Sequence, residues 1–210
     1  ATASRYAIGI FANNTVTATI SEIDNNSVYL SVASGTPTYS STCFEIANSG
    51  TAVHKVRGNI FVNAFPAQGA TAKHFCWVST AAAAIGGAGT VSNHNDLFIL
   101  NDQSTSGHVG RGSTTNYNTL ANWQAITAAP DANSVSTNPM FTSTTDLHSS
   151  ASALNAFSGY TPQAWVTTDI ECADRSTASP SDLGAYVINT CSVADGGTIS
   201  PATQNKCAGK

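Results

Sequence analysis

Apolar residues in the first half of the chain come in short runs separated by polar turns. The runs are YAIGIFA (Tyr6 to Ala12), ISEIDNNSVYL (Ile20 to Leu30), CFEIANSG (Cys43 to Gly50), VHKVRGNIFVN (Val53 to Asn63), HFCWVST (His74 to Thr80) and TVSNHNDLFIL (Thr90 to Leu100). They are rich in β-branched and aromatic residues and alternate with period 2, which predicts strands. Laying Ile20 on Val53, an offset of 33 residues, also lays Ile23 on Val56, Asn26 on Asn59 and Val28 on Phe61. A third copy at an offset of 36 places Asn95 on Asn59. Each unit reads strand, turn, strand, asparagine corner, strand, then a Gly/Ser/Thr loop.

Three architectures repeat at such a period. Helical repeats need apolar faces at 3.6-residue spacing, and propeller blades run to about 40–50 residues with four strands. Stacked β coils fit, so the expected fold is all-β, a right-handed parallel β-helix (solenoid) with one short helix. Residues 6 to about 105 should form at least three coils, with Ile20, Ile23, Val53 and Val56 pointing inward. Asparagine at the corner suits left-handed backbone and can bond from coil to coil. Beyond Gly107 the pattern changes. Leu120, Trp123 and Ile126 in the stretch Tyr117 to Thr127 predict the short helix, with Asn118 as N-cap. Trp123 reads as packing. Ala81 to Ala84, followed by Gly86 and Gly87, reads as a loop or tight turn.

The 33-residue offset lays Glu22 over Lys55 and Asp24 over Arg57, about 4.8 Å apart in a parallel sheet. Such a cluster is either a glycan or catalytic site, or a pair of surface ion pairs worth about 0–1 kcal/mol each. Cys43 and Cys76 share the offset and so fall on successive coils, as a disulfide or as two buried thiols.

Composition narrows the function. Charged residues are 10% of the 210, and the net charge is −4. No basic field exists to hold phosphates, which argues against nucleic acid. Thr, Ser and Asn make up one third of the chain, while Lys, Arg, Glu and Gln are scarce, so long charged helices are excluded. No apolar run approaches the roughly 20 residues of a membrane span. The five cysteines have no zinc spacing, and on a low-charge surface they point to an extracellular setting.

Candidate chemistry is thin. Asp169, Glu171, Asp174 and Asp182 are close in sequence and read as turn or capping residues, with a calcium site as the alternative. His54, His74, His94, His108 and His148 form no H-x-x-x-H pair, and His148 reads as packing. No G-x-S-x-G and no phosphate loop is present. The sequence assigns no catalytic residue, cofactor or metal.

NHNDLFIL (Asn93 to Leu100), YNTLANWQAITAAPDANSVSTNPMFTSTTDLH (Tyr117 to His148) and VTTDIECADRSTASPSDLGAYV (Val166 to Val187) carry a resemblance. Together they resemble secreted right-handed parallel β-helix repeat proteins, many associated with type IX secretion. In that family the last stretch reads Thr-Thr-Asp-Ile-Asp-Gly, then Arg-Pro, then Asp-Ile-Gly-Ala, and closes the β-helix with irregular turns. This chain has Cys172 where Gly is common and Ser176 where Pro is common. The resemblance implies a β-helix domain over 1–188, with an irregular closing segment from about 128. CSVADGGTISPATQNKCAGK (Cys191 to Lys210) is similar to the opening of an immunoglobulin-like repeat, so 189–210 is expected to be a linker or that domain's first strand. A Cys172–Cys191 disulfide is the expected tie between the closing turn and the exit strand, with Cys207 pairing in the following domain.

The implied protein is a piece of a large secreted or bacterial cell-surface protein. Its function is structural or adhesive and non-catalytic, with neighbouring domains or copies of itself as partners through the coil ends. The alternative is a carbohydrate-active β-helix, as enzyme or glycan-binding module, with Glu22, Asp24, Lys55 and Arg57 as its site and an extracellular glycan as partner.

Overall fold

The computed structural model describes residues 6–13, 20–32, 39–47, 52–66, 72–80, 90–101, 105–126, 129–176 and 178–188. Three strands, β1 (Tyr6–Ala12), β2 (Ile20–Asp24) and β3 (Ser27–Leu30), are followed by three that pair with them one for one. These are β4 (Ser40–Ile46), β5 (Val53–Arg57) and β6 (Ile60–Asn63). The pattern recurs in β7 (His74–Ser79), β8 (Val91–Asn93) and β9 (Asp96–Ile99), then in β10 (Gly107–Gly112). Three sheets result: β1-β4-β7-β10-β11, β2-β5-β8 and β3-β6-β9. Every pairing is parallel except the last, where β11 (Thr115–Tyr117) folds back on β10. The register matches the sequence offsets: Ile20 faces Val53, Ile60 faces Ser27, and Asp96 faces Ile60. The described residues are mostly β, with parallel sheets and one short α-helix. No helix among the described residues is long and apolar enough to cross a membrane.

The space between the sheets is filled by Cys43, Phe44, Ile46, Val56, Phe61, Cys76, Trp77, Leu97, Ile99 and Val109. Phe44 and Phe61 stack with ring centroids 5.8 Å apart, and Trp77 meets Phe44 at 4.5 Å. Two inward assignments from the sequence are corrected. Ile20 is 57% exposed, and Val53 is half-buried on the outer face. Ile23 and Val56 do face the core. The cause is parity. Ile20 lies two residues from Glu22 and four from Asp24, so the three share a face, and that charged face turns away from the apolar core. The inward companions of Ile23 and Val56 are Ser21 and the fully buried His54.

The turn from the second sheet to the third takes two residues, and their roles differ. The first is left-handed: Asn25 (φ 55°), Gly58 (φ 67°) and His94 (φ 54°). The second is the asparagine that bonds between circuits. The sequence reading gave both roles to the asparagine. Asn25 and His94 show that this φ admits other residues, but at Gly58 a Cβ would run into the Tyr160 ring, so glycine is needed there.

Past β10 the stack is plugged. The helix α1 (Leu120–Gln124) is capped by Thr119, whose hydroxyl accepts from the Asn122 N–H. The expected cap, Asn118, instead bonds His108 at 2.7 Å, so the helix starts one residue later. Trp123 is fully buried beneath β10, where a Cβ on Gly110 would strike its ring. The closing segment, 129–188, begins against the end of the stack, where Asp131 N donates to Ser92 O and Val135 pairs in parallel with Asp96. It then crosses the outer face of the third sheet, where Ile60 and Val62 join Ala151, Leu154, Tyr160, Leu183 and Ile188 in a second core. This is why all four residues of β6 are buried. The expected loop at Ala81 to Ala84 and the tail 189–210 lie outside the described residues.

Candidate functional site

Asn26, Asn59 and Asn95 stack at successive corners. The Asn59 Oδ1 accepts from Asn26 N and Asn26 Nδ2, both at 2.9 Å. The Asn95 Oδ1 accepts likewise from Asn59 N and Nδ2, both at 3.0 Å. Each lower amide also donates upward to main chain: Asn59 Nδ2 to Ile23 O, and Asn95 Nδ2 to Val56 O. Asp131 ends the file. Its carboxylate accepts from Asn95 Nδ2, Ser92 Oγ, Ser134 Oγ and the Trp123 indole. The sequence reading missed Asp131, although it follows Asn95 by 36 residues, the offset that separates Asn59 from Asn95, because its residue type differs from the asparagines before it.

The charged row stands where the offset placed it. Lys55 Nζ lies 3.1 Å from Glu22, and Arg57 grips Asp24 with two bonds of 3.2 and 3.0 Å while approaching Glu22 at 3.6 Å. Gln163 from the closing segment presents its carbonyl oxygen to both Arg57 terminal nitrogens. The Asp24 side chain is only 1% exposed. Burial raises its pKa, more than the Arg57 bond lowers it. The four charges are spent on one another and beneath Gln163.

A second polar file lies inside the first sheet. Ser41 Oγ meets His74 Nδ1 at 2.9 Å, and Asn63 Nδ2 donates to Ser41 Oγ and to Phe75 O. His74 stacks on Phe65 with centroids 5.0 Å apart. Burial first, then the neighbouring His108 and Lys73, lower its pKa to about 4. Cys43 and Cys76 sit beside this file as free, buried thiols, which settles that pair against a disulfide. Their strands are stacked at the parallel spacing, wider than the 3.5–4.5 Å a disulfide requires between β-carbons. Asp96 is fully buried with one carboxylate oxygen on Thr137 N and the other without a partner. Burial pushes its pKa well up.

In the closing segment the acids act mainly on backbone. Asp169 accepts from the N–H groups of Glu171, Ala173 and Val187, and Asp182 from those of Ala156 and Ile188. Asp174 pairs by backbone with Thr168. His148 departs from its expected packing role. It bridges Asp146 (2.5 Å) and Glu171 (3.3 Å) on the surface and lies against Tyr186. Burial lowers its pKa, but the two carboxylates outweigh that and leave it raised. Arg175, which the sequence reading did not single out, is 5% exposed and donates to the carbonyls of Asp182 and Gly184. Asn25 donates to the same two carbonyls and accepts from the Tyr160 hydroxyl at 2.6 Å. No spacing rule links Asn25 to residues 135 to 159 positions away.

Among the described residues, two clefts lie on opposite parts of the sheets. One, about 390 Å³, lies on the first sheet among Glu45, Val78, Thr80 and Arg111. The other, about 280 Å³, lies between the third sheet and the closing segment. Tyr29, Val62, Leu100, Met140 and Phe141 line it, with Asn138 and Thr144 among its polar residues. Neither brings two carboxylates together for acid–base work. Among the described residues no group of three or more His, Cys, Asp or Glu side chains could hold a metal ion. No model of a known protein family, no curated protein and no solved structure matches the chain.

Proposed function

We propose that the chain is a right-handed parallel β-helix serving as a non-catalytic structural or adhesive module of a large secreted or cell-surface bacterial protein, of the kind associated with type IX secretion. The observation that carries this reading is the file Asn26–Asn59–Asn95–Asp131. Its strong polar groups are turned inward and consumed in holding one circuit to the next, and the charged row on the second sheet is likewise neutralised by itself. A catalytic groove leaves such groups facing substrate; here they face each other. Its partners are neighbouring domains of the same protein. The Cys172–Cys191 disulfide belongs to the same proposal. It is supported by Cys172, which is disulfide-bonded in the fold, at a turn whose left-handed φ of 66° suits the glycine common there.

The alternative, a glycan-binding module, draws on one observation of its own. Met140 is held at a left-handed φ of 51° and is 60% exposed at the rim of the cleft that Tyr29 and Phe141 line. Strain of that kind persists where surroundings over-determine it and concentrates at binding sites. The test is incubation with a panel of acidic and neutral polysaccharides. Neither cleavage nor retention is expected. Cleavage or binding abolished by alanine at Glu22, Asp24, Lys55 or Arg57 overturns the structural reading. Binding lost with Tyr29→Ala alone installs the cleft instead.

A further inference from the structure

The asparagine file has a direction. At each step the upper residue donates, through its main-chain N–H and its side-chain amide, and the lower residue accepts on Oδ1. At the bottom stands Asp131, which as a carboxylate accepts and does not donate, so no further asparagine is called for below it. At the top stands Asn26. Its Nδ2 is committed to Asp24 O and Asn59 Oδ1, and its own Oδ1 accepts nothing among the described residues. Around it, among the described residues, β1, β2 and β3 each pair on one side. The inward residues Ile10, Ala12, Ile23, Val28 and Leu30 are only partly buried against the core.

We propose that this end of the stack is a docking surface for one kind of partner: a parallel β-coil of different sequence with asparagine at its corner. Such a coil brings the two donors that Asn26 Oδ1 lacks, covers the half-buried apolar rim and pairs the three open edges. A second copy of this chain fits neither way. Turned head to head, it sets Asn26 Oδ1 against another Asn26 Oδ1, acceptor on acceptor. Placed head to tail, it meets the end sealed by Trp123, α1 and Asp131. The inference rests on the stacked-coil reading above and adds the polarity of its open end.

The full chain extended at its front by a copy of residues 39–72 supplies the probe coil, with a copied Asn59 at its corner. The expected result is a rise in Tm of roughly 2–4 °C or more, with new hydrogen-exchange protection in β1, β2 and β3. Asn→Asp at the copied corner replaces the amide donor by an acceptor and is expected to cancel most of the gain. Equal gains from both extensions overturn the role of the file. No gain and no protection from either overturns the docking surface. The unextended chain gives an independent reading. Slow exchange at the edges of β1, β2 and β3 in a monomer, or a stable dimer in sedimentation that protects them, overturns the proposal without any graft. Polysaccharide cleavage would overturn the structural function while leaving these outcomes unchanged, so the two failures are distinguishable.

Discussion

The circuits of β1 to β10 and the closing segment use the same residue types, Asn and Asp, for different work. In the circuits a polar side chain bonds to its own counterpart one period away, so Asn26 finds Asn59 and Asn59 finds Asn95. In the closing segment Asp169 and Asp182 gather unrelated backbone N–H groups. Arg175 and Asn25 share two carbonyls contributed by neither repeat. A periodic bond propagates, because adding a circuit adds another. A bond such as that of Arg175 fixes one place and ends there. The first arrangement sets how the stack grows, the second where its side is covered.

The sharpest way to break the comparison is to remove one member from each region. Asn59→Ala strips both bonds from Asn26 and leaves the buried Asn95 Oδ1 and Ile23 O short of donors. Orphaned buried groups cost about 1–3 kcal/mol each, so a loss of roughly 3–5 kcal/mol is expected, with protection from hydrogen exchange falling in all three circuits. Arg175→Met keeps much of the volume and removes two bonds, for an expected loss of about 1–3 kcal/mol. Its effect should be local, with proteolysis between 129 and 188 rising before the sheets loosen. Denaturant melts combined with exchange mapping check both. A global loss from Arg175→Met, or a local one from Asn59→Ala, would reverse the assignment of roles.

Acid sharpens the comparison next, because His74 and Asp96, both buried on the circuits, shift in ways that oppose each other. His74 has a pKa of about 4 in the fold and about 6.5 in an unfolded chain. Its neutral ring therefore contributes stability that is fully present above pH 6.5 and lost as pH falls toward 4. The interval corresponds to about 3 kcal/mol. Asp96 acts with the opposite sign. Its pKa is raised by burial, so its stability cost grows as pH rises above about 3.8. Melts from pH 7 to pH 4 should show Asp96→Asn losing stability more steeply than the parent chain, because the compensating carboxyl is gone. Parallel pH profiles for the two proteins would show that Asp96 does not titrate as its burial requires.

How far the sequence reaches follows from the same contrast. The ladder and the rows Glu22–Lys55 and Asp24–Arg57 were legible because period 33 states which residue lies over which. The inward face was misread at Ile20 and Val53 because spacing alone was followed, when the parity of the charged residues already decided it. Thr119 displaced Asn118 as helix cap because His108, ten residues back in β10, claims the Asn118 side chain. The Arg175–Asn25–Tyr160 knot had no signal, since no repeat relates its members. Nothing in the sequence said that residues after 135 would cover a sheet face while Trp123 and Asp131 sealed the end.

The smallest expected effect divides the structural reading from the glycan reading. Lys55 is 34% exposed and its partner Glu22 is 23% exposed. An ion pair so open to solvent contributes about 0–1 kcal/mol, so Lys55→Ala should lower stability by no more than that, and less in high salt as screening increases. Arg57→Ala should cost more, because it leaves the 1% exposed Asp24 carboxylate without its two bonds. The order Arg57 over Lys55 is what a structural lattice demands. A glycan site predicts a different pattern, in which both substitutions leave stability alone and both weaken retention on a polysaccharide column. Thermal melts and column retention of the same two variants separate these outcomes. Equal, negligible stability losses accompanied by lost retention would turn the charged row from a brace between circuits into a recognition surface.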